Sequence, residues 1–156
     1  PDLSMMTHTF QDRPEPPFCL GGEAAGEVLQ VGPKASYNGP GVAEDLSFPA
    51  PRVGDRVFVS QHMNCHSSRV AVRGFCCTPI PEDCSFDFDD AAGYVQGVAT
   101  SYEACIGRLG VQKGEWVVIT GSTGCIGLAG VQICKKLGAK VIALGSDLQN
   151  TVRWKW

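Results

Sequence analysis

The chain has 156 residues, of which 44% are hydrophobic and 19% charged, with a formal net charge of −3. That length holds one domain or parts of two, and the balance is that of a soluble globular protein. There is no basic run to make a nucleic-acid surface and no apolar run of membrane-spanning length, so no nucleic acid and no membrane span are expected.

The chain opens Pro1-Asp2-Leu3-Ser4, without an initiator Met or a basic n-region, so it reads as the middle of a protein and not as a signal peptide. Residues 18–81 are rich in Gly, Pro and short alternating segments. Strands are expected at 27–32, at 56–59 after the turn Val53-Gly54-Asp55, and at 69–72 leading through Phe75 to Thr78-Pro79-Ile80-Pro81. Short strands at this spacing predict a small β-barrel-like domain. The polar Gly/Pro-rich stretch 33–51 reads as a surface loop. Residues 87–109 turn helical, with Asp89 and Asp90 opening a run that carries Ala91, Ala92, Val95, Val98, Ala99 and Tyr102. The domain junction is placed near 93–97, giving domains 1–95 and 96–156. A turn over 110–114 then leads into the next strand.

Residues 116–147 read as strand, glycine turn, helix and second strand. Trp116-Val117-Val118-Ile119-Thr120 is a continuous apolar run with β-branched bias, expected of a parallel strand buried on both faces. Gly121, Gly124 and Gly127 follow at once. The next helix would set Ile126, Ala129, Gly130, Ile133, Cys134 and Leu137 on one face, with Lys135 and Lys136 in the last turn and Gly138 as the C-cap. Residues 140–144 form the second strand. A pyrophosphate on a helix N-terminus needs free backbone N–H groups and no Cβ in the turn, and Gly127 would let the helix approach the strand closely. This predicts the first βαβ of a dinucleotide-binding fold, with Gly121, Ser122, Thr123, Gly124, Cys125, Ile126 and Gly127 at the phosphates. A tight βαβ turn that binds no nucleotide and a methyl-donor-binding fold are the alternatives. NADH-specific folds end the second strand on an acidic residue; here that position is Gly145, followed by Ser146, which leaves room for a 2′-phosphate and predicts NADPH.

Eight cysteines (Cys19, Cys65, Cys76, Cys77, Cys84, Cys105, Cys125 and Cys134) include no C-x-x-C, and several lie in apolar contexts. Reduced thiols in an intracellular protein are expected.

Together these segments resemble the medium-chain dehydrogenase/reductase superfamily, in its zinc-free NADPH:quinone oxidoreductase branch. PPFCLGGEAAGEVLQVG is similar to the family's P-F-x-x-G-x-E-x-A-G-x-V-x-x-V-G signature, VGDRV to its G-D-R-V turn, and GYVQGVATSYEA to the helix carrying its T-[AS]-Y element. GEWVVITGSTGCIG is similar to its nucleotide segment, with Cys125 where the family has Gly. The resemblance implies an α/β plus β fold: a GroES-like, partly open β-barrel domain, N-terminally incomplete, followed by the first part of a C-terminally truncated Rossmann doubly wound parallel sheet. It also implies hydride transfer from NADPH to a small-molecule quinone or enone, a homodimer in the full-length form, and a cytoplasmic location with mitochondrial targeting left open. By the same resemblance Asp2 matches a family Asp next to the active-site Asn, and Thr100 a Thr facing the nicotinamide. Gly22 stands where zinc-dependent members carry a ligand His, so no catalytic metal is expected. Phe10 stands where enoyl-thioester reductases place a proton-donating Tyr, which favours a quinone. His62, Cys65 and His66 would make an improvised metal site, but read better as a polar loop or strand end. The rival classes are a non-catalytic nucleotide binder on the same fold and a truncated, inactive product.

Overall fold

A computed structural model of the chain describes residues 2–39 and 48–145. The chain divides into two compact units, Pro1–Val95 and Gln96–Trp156.

In the first unit, helix α1 (Asp2–Met6) precedes strands β1 (Glu23–Glu27), β2 (Arg56–Ser60) and β3 (Cys77–Pro79), and helix α2 (Phe88–Ala92) follows them. The strands form an open antiparallel sheet in the order β1-β2-β3, with Ala25 opposite Phe58 and Val59 opposite Cys77. It is not a closed barrel. Central β2 is buried on both faces. Val57 and Val59 pack with Tyr37, Cys65 and Cys77, while Phe58 on the opposite face meets Ile80 and Ala91. Tyr94 stacks on Phe58 at 5.6 Å between centroids and meets Phe86 edge-on at 5.0 Å. Asp87 caps α2 by accepting from the Asp90 N–H at 2.8 Å.

Two expected strands move. The strand expected at 27–32 lies at Glu23–Glu27 instead. Alanine and glycine, poor strand formers by composition, take the sheet positions because their small side chains fit against β2 and α2. Beyond Glu27, Val28 bonds to the 54–55 turn, its N–H donating to the Asp55 carbonyl and its carbonyl accepting from the Gly54 N–H, both at 2.9 Å. Residues 69–72 form no ladder. Their alternation reflects Val70 and Val72 half-buried between exposed neighbours, with Val72 packed on the Val57 cluster. The third strand forms eight residues further on, after a 3₁₀ turn at Gly74–Cys76.

In the second unit, helix α3 (Val95–Tyr102), which begins at the junction, runs into a π-helical turn at Glu103–Arg108. Strand β4 (Trp116–Thr120), helix α4 (Cys125–Lys136) and strand β5 (Lys140–Leu144) follow. β4 and β5 pair in parallel, Val118 opposite Ile142. Lys135 and Lys136 sit in the last turn of α4, and Gly138 takes the left-handed φ of +81° that ends it. The core joins Cys105, Val111, Cys134 and Ala139 to the inner sheet residues Val117, Ile119 and Val141. β4 is not buried on both faces as its continuous apolar run predicted: Trp116 is 68% and Val118 57% exposed. α4 covers one side only, so alternate residues face outward, with Ile142 and Leu144 beside them. Ile126, expected on the buried stripe of α4, is half exposed; the buried positions are Gly127, Ala129, Gly130 and Cys134. No helix among the described residues is long and apolar enough to cross a membrane.

Candidate functional site

The glycine turn is built by backbone constraints. Gly121 leaves β4 with φ +61°, a left-handed conformation that glycine adopts without strain. The Ser122 N–H then donates to the Leu144 carbonyl at 3.1 Å, tying the turn to the end of β5. Gly124 caps α4 in an extended conformation, its N–H donating to the Gly121 carbonyl at 3.0 Å. Helical bonding starts at Leu128 N–H to Gly124 O, 2.8 Å. The N–H groups of Cys125, Ile126 and Gly127 therefore precede the helical ladder, at the positive end of the helix dipole. A Cβ on Gly124 would meet only the Gly121 carbonyl oxygen, at 3.5 Å, so the approach to these N–H groups is open. Gly127 is different. A Cβ there would collide with the Gly121 carbonyl oxygen and lie 2.7 Å from Ser122 Cα, so this glycine lets the first turn of α4 lie against the loop. Donors, dipole and open approach fit a pyrophosphate.

Ser122 is buried, whereas Thr123, Cys125 and Ile126 are exposed at the mouth of the turn. Gly145 follows β5, and a Cβ on it would lie 3.2 Å from Thr123 Cγ2, so the turn and the end of β5 are adjacent. Ser146 lies outside the described residues. Thr100 is exposed on α3, one residue before buried Ser101. Ser101 Oγ donates to the Ile126 carbonyl at 2.5 Å, and a Cβ on Gly97 would meet Cys125 C and O at 3.2 Å. Sequence reasoning missed Gly97 and Ser101, which hold α3 against the first turn of α4. Their signal was available: Gly97, Ser101 and Cys105 are small residues at helical spacing.

Asp2 belongs to a cluster within the first unit. Its Oδ1 accepts the Gly21 N–H at 3.2 Å, and its Oδ2 lies 3.6 Å from His66 Nε2. Gly21 has φ +97°, and a Cβ on it would sit 2.6 Å from both His66 Cδ2 and His66 N. The two segments are laced by backbone bonds: Asn64, Cys65 and His66 N–H groups donate to Cys19, Gly21 and Leu20 carbonyls at 2.9–3.0 Å, and Gln61 N–H to Gly22 O at 3.0 Å. Gly22 thus sits beside the 61–66 loop with no side-chain donor. Phe10 is half-buried. His62 faces Asp12 at 3.7 Å, away from the Asp2–His66 pair in bonding, and Cys65 is buried, which pushes its thiol up from its ordinary value. No group of three His, Cys, Asp or Glu among the described residues is placed to hold a metal ion.

Residues 1–105 match the alcohol dehydrogenase GroES-like domain. Mycoketide-CoA synthase of Mycobacterium tuberculosis is 35% identical over 144 residues, which is 92% of this chain and 3% of that protein. The quinone oxidoreductase of Homo sapiens is 30% identical over 135 residues, 86% of this chain and 36% of that protein. The crystal structure of Escherichia coli quinone oxidoreductase complexed with NADPH superimposes with a TM-score of 0.76 at 26% identity, covering 95% of this chain and 41% of that one. The chain therefore spans about a third of the quinone oxidoreductase and a few per cent of the synthase. Two thirds of the chain lies within one family match, and the chain belongs to the alcohol dehydrogenase GroES-like domain family.

Proposed function

We propose that the complete protein carrying this chain is a zinc-free NADPH-dependent oxidoreductase that reduces a quinone or an α,β-unsaturated carbonyl. The observation that carries this reading is the turn itself, which presents the Cys125, Ile126 and Gly127 N–H groups at an open helix end. Likeness to a quinone oxidoreductase complexed with NADPH supports the choice of cofactor. In this reading residues 1–95 are a GroES-like catalytic domain and residues 96–156 the start of a nucleotide-binding domain.

Bound NADPH would supply hydride chemistry. In this reading the 121–127 backbone would hold its pyrophosphate, the lack of a side chain at Gly145 would leave space at the adenosine ribose, and Thr100 would face the nicotinamide, as the resemblance implies. Gly22 offers no donor for a catalytic zinc, so the acceptor oxygen is polarised by protein groups alone. The acceptor is a small molecule and the working form a homodimer in the cytoplasm.

The test is consumption of NADPH by the complete protein, followed at the absorbance band of the reduced nicotinamide, first with a small quinone and then with an enone. Turnover with either, and tighter binding of NADPH than NADH, are expected. Binding without turnover would make the protein a nucleotide binder. Stoichiometric zinc that resists dialysis, with activity lost on chelation, would overturn the zinc-free reading.

A further inference from the structure

We propose that the Ser122 hydroxyl selects the adenosine ribose of the cofactor by donating a hydrogen bond to its 2′-phosphate. This deepens the NADPH reading above and rests on it. Among the described residues two polar side chains are buried, Ser101 at 2% exposure and Ser122 at 8%, both in the second unit. They differ in one respect. Ser101 Oγ donates to the Ile126 carbonyl, whereas nothing among the described residues hydrogen-bonds to Ser122 Oγ. A hydroxyl taken out of water without a partner costs stability, and folded proteins hold few such groups. Every fully buried side-chain N or O of the described residues does have a partner. Ser122 Oγ therefore keeps an opening to the surface, through which a ligand can reach it.

The backbone sets where that opening lies. Gly121 turns the chain with φ +61°, and the Ser122 N–H then donates to the Leu144 carbonyl at 3.1 Å, which fixes Ser122 beside the end of β5. A Cβ on Gly145 would stand 3.8 Å from Ser122 Oγ and 3.2 Å from Thr123 Cγ2. Apart from its chain neighbours, no other described atom comes within 4 Å of that point, so the space over Gly145 is walled by a hydroxyl and a methyl. The carboxyl end of the second strand is where a βαβ unit of this kind receives the ribose of a dinucleotide, while the pyrophosphate rests on the helix N-terminus. The Ser122 hydroxyl and the N–H groups of Cys125, Ile126 and Gly127 then serve different phosphates.

The chemistry favours a phosphate over a bare 2′-hydroxyl. An O–H donating to a phosphate oxygen makes a charge-assisted bond, about twice as strong as one to a neutral oxygen. The positive end of α4 favours negative charge near its first turn. Gly145 brings neither a carboxylate to repel the phosphate nor a side chain to fill its place.

The experiment titrates the complete protein, as wild type and as Ser122→Ala, in a calorimeter with two pairs of ligands. One pair is NADPH and NADH; the other is adenosine 2′,5′-bisphosphate and adenosine 5′-monophosphate, which carry neither nicotinamide nor pyrophosphate. Ser122→Ala should weaken NADPH and the bisphosphate by about tenfold, the measure of one hydrogen bond to a charged group. NADH and the monophosphate should weaken by less than about threefold. Equal losses within each pair would move the hydroxyl to the phosphates that both members share, and would overturn the assignment. So would no loss at all. Melting without nucleotide separates out a structural role. With no internal partner to lose, Ser122→Ala should melt at the wild-type temperature or above it; a lower temperature would show that the hydroxyl holds the turn, and would overturn the proposal. If wild type binds NADPH no better than NADH, the NADPH reading fails and takes this proposal with it. If wild type prefers NADPH and Ser122→Ala keeps that preference in full, only the role of Ser122 fails.

Discussion

Replacing Gly127 by Ala tests whether the glycine turn depends on close contact or only on flexibility. In a helix interior such a change ordinarily stabilises, by about 1 kcal/mol of propensity. Here the added methyl would collide with the Gly121 carbonyl oxygen and lie 2.7 Å from Ser122 Cα and 2.8 Å from Gly121 C. All three are backbone atoms, so none can swing aside as the tip of a side chain would. Overpacking of this kind costs about 1–3 kcal/mol, and its upper end applies where backbone must move. The net expectation is a loss of about 2 kcal/mol, or about 4–8 °C in Tm for a chain of this size. Gly130→Ala is the control on the same helix: its methyl would meet Ile119 Cδ1 at 3.5 Å, Ser101 Oγ at 3.7 Å and Cys105 Sγ at 4.0 Å, all ordinary contacts. That variant should gain up to about 1 kcal/mol. Thermal melts of both by circular dichroism, alongside wild type, read the two signs. Gly127→Ala melting at or above the wild-type temperature would refute the contact argument, and so would equal shifts for the two variants.

Other outcomes follow from particular contacts. Gly145→Asp should turn the cofactor preference toward NADH by at least about tenfold, about 1.4 kcal/mol, in paired titrations; unchanged preference would remove Gly145 from the ribose site. Asp55 accepts the Tyr37 hydroxyl at 2.7 Å and the Arg52 N–H at 2.8 Å, which together hold its carboxyl below the usual range. A carboxylate lowered on folding adds stability above its unfolded value of about 4, and that stability is lost as pH falls through the folded one. Tyr37→Phe should therefore lose stability at neutral pH and show a shallower decline in acid melts; parallel curves would deny the link. Burial pushes the Cys134 thiol up to about 11, next to Cys105 at 3.5 Å, whereas Cys125 is exposed. In native alkylation read by mass spectrometry, Cys125 should react at least about tenfold faster than Cys134. Similar rates would contradict the packing of the second unit.

The order of strand, turn, helix and strand over 116–144 was legible because each boundary has a local chemical cause: a β-branched run, glycines, and lysines followed by Gly138. What failed were inferences about surroundings. The run at 116–120 reads as buried on both faces, yet burial depends on what lies across the sheet, and residue pattern cannot supply that. β1 was displaced because Ala24, Ala25 and Gly26 look unlike a strand; they become one only against Val57–Val59. Ile126 was assigned inward by periodicity, although the close approach of Gly127 to Ser122 turns the first residues of α4 outward. The Asp2–His66 pair was not legible at all. It is made by backbone bonds between 19–22 and 61–66, and nothing in either segment alone announces the other.

The outward indole of Trp116, with the Lys140 ammonium 5.4 Å from its ring centroid, also makes the bare side of the parallel sheet an optical reporter. An indole facing water emits to the red of one in an apolar layer, and a cation over the ring perturbs it further. With Trp154 and Trp156 changed to Phe, emission would come from Trp116 alone among the tryptophans of this chain. Its colour would then register whether a covering layer has assembled on that side, residue by residue along a truncation or refolding series, without any label being added.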